Sequence, residues 1–385
     1  MALPSSILAG LLLFALPNLS NAQTDNGNEC SCFRTNGSSR GYFTYHRFLD
    51  YRNVANSATP PTLISNATNA TNALATSDFF IQDAWKNDWT IQNWNNSDSI
   101  ATSGAAVTMI NSPNNVYIEK STDSDPSYTS YLVLRTSRLP TFQSAAEIDS
   151  NEKNYHYLSA RFNARVIGSP GACAGLFTYL ASDNPQSIQE ADIEILTAGP
   201  RNAVQYTNQP SNDAAGNDIP QATVNSSMGQ DWTVWNTYRV DWMPKMTSWY
   251  VNGESVANIS FQTPRDPAGL ILNMWSDGGV WTGNMTTYDE AYLQIQWMEL
   301  VFNTSGAYGG SRKRDEHGAV GVLEKRKGGT PGCKVVCGVD EKVNVTGTPA
   351  VLYNSTAPVG WRGEGMGGMA WIPLVVAGAA IFGYF

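Results

Sequence analysis

Glu190-Ala191-Asp192-Ile193-Glu194-Ile195 alternates acidic and apolar residues without a break. Side chains of a β-strand point alternately to its two faces, so this spacing predicts a strand with two different surfaces. Ala191, Ile193 and Ile195 share a face fit for a core. Glu190, Asp192 and Glu194 share the other. Like charges on adjacent positions of one face repel, and no structural strand gains from them without cationic partners.

The same period of two recurs on both sides. Tyr131–Thr136, Tyr157–Val166, Trp235–Trp242, Ser248–Val251 and Tyr292–Phe302 read as strands. Asn252-Gly253 lies between Trp249-Tyr250-Val251 and Glu254-Ser255-Val256, the signature of a two-residue hairpin turn with positive φ at both positions. No long amphipathic helix interrupts the series. Many strands with turn punctuation and no helices between them predict an all-β antiparallel sandwich.

Composition narrows the function. The chain has 385 residues, with 24 Lys+Arg against 33 Asp+Glu and a net charge of −9. An acidic chain is a poor partner for nucleic acid, which needs clustered basic residues. A neutral polysaccharide meets no such objection. Only three histidines are present, His46, His156 and His317, far apart, so no metal site is expected. Gly-X-Ser-X-Gly, phosphate-loop and metalloprotease motifs are absent.

The reading divides the chain as follows. Residues 1–22, apolar and closing on Ser20-Asn21-Ala22, are expected to be a signal peptide. Residues 23–77 form an N-terminal segment with a glycosylated Ser/Thr/Asn/Pro-rich loop. Residues 78–305 form the regular, aromatic-rich domain. Residues 306–332 are a Gly/basic linker, whose Lys313-Arg314 and Lys325-Arg326 serve either as protease sites or as solvated spacer. Residues 333–357 are a short Cys-containing segment. Residues 358–385 end in the apolar run Met369–Phe385, preceded by the small residues Asn354-Ser355-Thr356-Ala357; that order is the signal for a GPI anchor. Ten Asn-X-Ser/Thr sequons that follow residue 22, at Asn36, Asn66, Asn69, Asn95, Asn225, Asn258, Asn284, Asn303, Asn344 and Asn354, fit an extracellular glycoprotein. Five cysteines leave one unpaired, and Cys173 is expected to be a buried free thiol. Cys333 and Cys337 either close a small loop or pair back to Cys30 and Cys32. The expected setting is the cell surface or wall, with membrane contact through a lipid anchor only and a monomeric state.

Two carboxyls on one open face are what a glycosidase uses, one as nucleophile and one as acid/base. Glu-X-Asp-X-Glu on a strand resembles the signature of glycoside hydrolase family 16, a family of β-glucanases and wall transglycosylases. Several segments extend the resemblance over residues 78–303: Tyr157–Val166; Gly175–Leu180, similar to the strand paired with the acidic one; Trp235–Trp242 with Ser248–Gly253; and Asn273-Met274-Trp275-Ser276-Asp277-Gly278-Gly279-Val280-Trp281, similar to a segment lining the sugar cleft. The resemblance implies a β-jelly-roll sandwich of the concanavalin A-like lectin/glucanase kind, with a concave substrate cleft. It implies Glu190 as nucleophile, Asp192 as supporting carboxylate and Glu194 as acid/base. It implies sugar contacts from Trp275, Trp281, Tyr206, Asn208 and Asn273, whose rings and amides suit pyranose faces and hydroxyls. Many members carry Glu, used in binding the glycone, where this chain is read as having Asn163. A structural calcium ion occurs in some relatives, but no ligands for one are identifiable here and no cofactor is expected. Trp242, Trp249 and Trp297, at alternating strand positions, are expected in the core. The expected reaction is retaining, endo-acting hydrolysis of β-1,3- or mixed-linkage β-glucan. The alternatives are a transglycosylase joining glucan or chitin chains, and a non-catalytic lectin.

Overall fold

The structure, a computed structural model, describes residues 29–308, 333–341 and 347–354, apart from Ser38, Asn56, Ala58 and Pro126. The signal peptide, both dibasic pairs and the anchor signal read from the sequence lie outside the described residues. Among the described residues no helix is long and apolar enough to cross a membrane.

Sixteen strands hydrogen-bond into one continuous sheet. Its inner half runs Thr223–Ser227, Ala203–Gln209, Gln189–Leu196, Cys173–Leu180, Gly269–Trp275 and Gln143–Ser150. Its outer half runs Ser130–Arg138, Glu290–Thr304, Tyr155–Gly168, Asn236–Met243, Met246–Val251 and Glu254–Ile259. The halves meet at a narrow corner, where only Ser137↔Ser144 and Arg138↔Gln143 pair. The sheet doubles over there, because each half has one apolar face that must leave water. Leu176, Ile193, Tyr206 and Leu272 of the inner half meet Phe162, Trp242 and Trp249 of the outer half in one core. The Tyr206 and Trp249 rings, 5.7 Å apart between centroids, join the two halves directly. The result is the antiparallel jelly-roll sandwich that the sequence led us to expect.

The hairpin at Asn252-Gly253 forms as read: Val251 pairs with Glu254, and the two turn residues have φ of 52° and 85°. Two features depart from the sequence reading. The sheet already begins at Tyr45–Asp50, which pairs with Trp297–Phe302, well before residue 78. His46, bonded to Glu299 at 2.8 Å, and Arg47, bonded to the Tyr308 hydroxyl at 3.0 Å, are buried polar residues that hide its period. Gln143–Ser150 was not read as a strand either.

A second, four-stranded sheet covers the outer half: Tyr42–Phe43, Cys32–Arg34, Val335–Gly338 and Ala350–Asn354. Cys30–Cys337 and Cys32–Cys333 bond its two chain segments together, which resolves the open pairing. Asp340 accepts from Arg161 at 2.7 Å and pairs with Arg239 at 3.5 Å. Both arginines point away from the core side of the outer half, so this sheet lies opposite the inner face.

Candidate active site

The acidic strand Gln189–Leu196 lies inside the inner half, between Cys173–Leu180 and Ala203–Gln209. Its register is unbroken: Glu190 faces Tyr179 and Gln209, Asp192 faces Phe177 and Thr207, Glu194 faces Gly175 and Gln205. Without a bulge the alternation holds over its whole length. Ala191, Ile193 and Ile195 are fully buried in the core. Glu190, Asp192 and Glu194 all line one groove of about 660 Å³ on the opposite face, a size usual for a ligand site. The three acids brought together by sequence reading are therefore together in space.

All three are held above the ordinary carboxylate range. Burial raises Glu194 to about 7, against the opposing hydrogen bonds from Trp281 and Cys173. Burial likewise raises Glu190 to about 7; contact with Asp192 opposes this and the Glu194 charge adds to it. Asp192, wholly buried, is held well above the ordinary range by burial and by the Glu190 and Glu194 charges. The contact between Asp192 and Glu190 raises the aspartate and lowers the glutamate. Gln209 Nε2 donates to Asp192 at 3.4 Å from the next strand.

Glu194 is oriented through one oxygen. Its Oε1 accepts from Trp281 Nε1 at 3.2 Å and from the Cys173 thiol at 3.8 Å. Cys173 is the free buried cysteine expected from the sequence. Burial and the neighbouring carboxylates push its pKa far up, so it remains a thiol and a donor. With both donors on Oε1, a proton carried by Glu194 sits on Oε2.

A row of cross-strand neighbours runs from the acid along the floor: Gln205, Glu194, Gly175, Asn273, Glu147. Asn273 Nδ2 donates to Glu147 Oε2 at 3.3 Å, and Trp94 Nε1 to Glu147 Oε1 at 2.6 Å. Burial raises Glu147 to about 7. Sequence reading missed Glu147. Its signal was Glu147-Ile148-Asp149, a shorter version of the same acid–apolar alternation. Gly175 keeps the floor low: a Cβ there would lie 2.6 Å from Asn273 Oδ1. Gly175→Ala is expected to displace the Asn273 amide and raise KM about three- to tenfold, the scale of one neutral hydrogen bond. Steady-state kinetics beside a thermal melt check this; an unchanged KM would mean that Asn273 does not touch substrate.

Trp275 lines the groove, whereas Trp281 is half-exposed beside it and reaches Glu194 through its indole N–H. Two expected sugar contacts require correction. Tyr206 pairs with Ile193 and Asn208 with Ala191, so both point into the core. Asn208 donates there to the Phe261 carbonyl at 3.0 Å. Their neighbours Gln205, Thr207 and Gln209 take the acid side instead. Asn163 also lies elsewhere: it pairs with Thr237 and Trp297 in the outer half and cannot reach the cleft. A third glutamate, Glu147, lines the cleft beside Glu190 and Glu194. Trp242, Trp249 and Trp297 are buried, as expected.

Comparison with known proteins bears on the chain's family. The family model described as "Glycosyl hydrolases family 16" matches residues 93–299, more than half of the chain. The chain is 29% identical over 151 residues to the beta-glucanase of Bacillus amyloliquefaciens, covering 38% of this chain and 59% of that one. It is 26% identical over 152 residues to the beta-glucanase of Paenibacillus polymyxa, covering 39% and 61%. The matched region thus spans about three-fifths of these relatives. The solved Bacillus licheniformis beta-glucanase is similar with a TM-score of 0.44 at 22% identity, covering 56% of this chain and 92% of that one.

Proposed function

Because the chain belongs to glycosyl hydrolases family 16, we propose that it cleaves β-glucan chains internally with retention of anomeric configuration. The observation that carries this reading is the unbroken alternation of Glu190, Asp192 and Glu194 along the floor of an open groove. Glu194 gives its Oε2 proton to the glycosidic oxygen while a Glu190 oxygen attacks the anomeric carbon. The glycosidic bond breaks and a glycosyl ester forms on Glu190. Glu194, now ionised, takes a proton from water, whose oxygen displaces Glu190 from the sugar. Asp192 donates its proton in a hydrogen bond to Glu190, holding the nucleophile's charge in place. Trp275 and Trp281 offer rings for pyranose faces.

The test is incubation with linear β-1,3-glucan and mixed-linkage β-glucan, with sizing of products and NMR of the first anomer released. Internal cleavage yields oligosaccharides of mixed length carrying the β-anomer. Initial release of the α-anomer sinks the retaining mechanism, and the absence of any product sinks the hydrolase.

A second outcome of the same chemistry is transfer to a sugar hydroxyl in place of water. Val280 is fully exposed beside Trp281, and Trp281 itself is about 42% exposed over Glu194. An apolar platform at the acid/base favours a bound sugar acceptor over water. Products longer than the substrate would demonstrate transfer. We place this reaction at the cell surface, a reading supported by two disulfides, which persist in oxidising compartments. Release of the protein from cells by a phospholipase that cuts lipid anchors tests that placement.

A further inference from the structure

One buried amide of the cleft is unaccounted for by the chemistry above. Asn111 ends the short strand Met109–Asn111, which pairs in parallel with Gln143–Ala145 and sets Asn111 opposite Ala145. Ala145 and Glu147 alternate onto the same face, about 7 Å apart along the strand. The Asn111 backbone N–H donates to the Trp94 carbonyl at 3.0 Å, and Trp94 in turn holds Glu147. Asn111 therefore closes the corner of the groove beyond Glu147, and it lines that groove.

Its side chain is 1% exposed, and neither Oδ1 nor Nδ2 has a hydrogen-bond partner among the described residues. Asn115, nearby and equally buried, shows what this sheet does with a structural amide. It donates to Ser144 Oγ at 2.7 Å and to the Ala145 carbonyl at 3.0 Å, and accepts from Arg135 at 3.0 Å. A buried amide with no partner is a desolvation cost that an apolar residue would avoid. Asn273 Oδ1, on the same floor, is likewise without a partner.

We propose that Asn111 is a specificity-determining residue that extends the sugar cleft past Glu147, its amide engaging two adjacent hydroxyls of a neutral pyranose. An amide presents one acceptor beside a donor, and vicinal hydroxyls answer both. Glu147 and Asp149 beside it disfavour an anionic group. This subsite rests on the β-glucan reading and names how far along the chain substrate is recognised.

The experiment uses the full chain as wild type, Asn111→Ala and Asn111→Ser. Initial rates are measured on β-glucan oligosaccharides of increasing length. The wild type should favour the longest over the shortest in kcat/KM. In Asn111→Ala that advantage should fall about tenfold, chiefly through KM; Asn111→Ser, which keeps one polar atom, should fall less. Circular dichroism establishes folding, and if the alanine variant does not fold, the serine variant and Asn111→Asp carry the comparison. Folded variants that keep the wild-type length dependence overturn the subsite while leaving the hydrolase intact. A wild type that neither turns over nor binds any β-glucan overturns the hydrolase, and the subsite falls with it.

Discussion

Glu190→Gln is expected to lower kcat/KM on β-glucan by at least about 10⁴-fold, equivalent to about 5 kcal/mol of transition-state stabilisation. Glutamine keeps the size and hydrogen bonds of the side chain but cannot form the glycosyl ester, so no second route through the same groove remains. Glu194→Gln should cost about 10²–10⁴-fold, the range for loss of a general acid. The two variants are distinguishable by leaving group. A glucan oligosaccharide bearing an acidic phenol leaves without protonation, so Glu194→Gln should recover most of its first step on that substrate. Glu190→Gln should recover none, because the missing bond is to carbon. Reversal of this pattern would exchange the roles of the two residues. Equal recovery in both would show that neither works as assigned. The orientation of Glu194 gives the assignment its physical basis: Oε1 is occupied by Trp281 and Cys173, leaving Oε2 to hold and deliver the proton.

The acidic strand was legible because its alternation is strict and its neighbours repeat it. Glu190-Ala191-Asp192-Ile193-Glu194-Ile195 states both of its faces, and the Asn252-Gly253 turn states its φ angles. What alternation cannot say is which parity of a neighbouring strand shares the face. Val204-Gln205-Tyr206-Thr207-Asn208-Gln209 carries plausible sugar contacts on both sides, and only the pairing of Glu190 with Gln209 turns Tyr206 and Asn208 inward. The aromatic ring of Tyr206 was spent on joining the halves of the sheet at Trp249. Asn163 failed for a similar reason: a strand position was read, but not the half of the sheet to which it belongs. Glu147 escaped notice because its strand, Gln143–Ser150, is small and polar, with Ala145, Ala146 and Ile148 as its apolar members. The disulfides were undetermined because the sequence offers two pairings of similar merit, and the choice follows from packing of the tail on the outer half. Cys173 was recognised as buried, but its place beside Glu194 depends on the register Cys173↔Leu196, which no local pattern encodes.

The carboxyls of the groove, Glu147 and Asp149 included, are raised above their ordinary range and commit the fold to a pH dependence of known sign. In the unfolded chain Glu190 and Glu194 titrate near 4.5, and in the fold near 7. A raised acid binds its proton more tightly when folded, so its favourable contribution is complete below about 4.5 and is lost as pH rises through about 7. Asp192 moves in the same direction, driven first by burial. Asp340 moves the other way. Burial would raise it, yet Arg161 and Arg239 hold it low, so its effect falls below the unfolded value of 3.8 and outside this window. Wild-type stability should therefore decline between pH 4.5 and 8. Glu190→Gln should remove about 1–3 kcal/mol of that decline, since glutamine never ionises and one pKa unit corresponds to about 1.4 kcal/mol. Thermal melts at the two pH values isolate the effect as a difference between variant and wild type. At pH 4.5 the two should melt together, because a protonated glutamate and a glutamine are nearly equivalent in the groove. At pH 8 the variant should melt higher by about 2–12 °C, at roughly 2–4 °C per kcal/mol for a domain of this size. A variant that melts lower at pH 8, or by the same margin at both pH values, would mean that Glu190 is not held against its charge. The same burial that costs stability is what makes Glu194 a proton donor near neutrality, so the decline in stability should level off near pH 7, where the acid itself is lost.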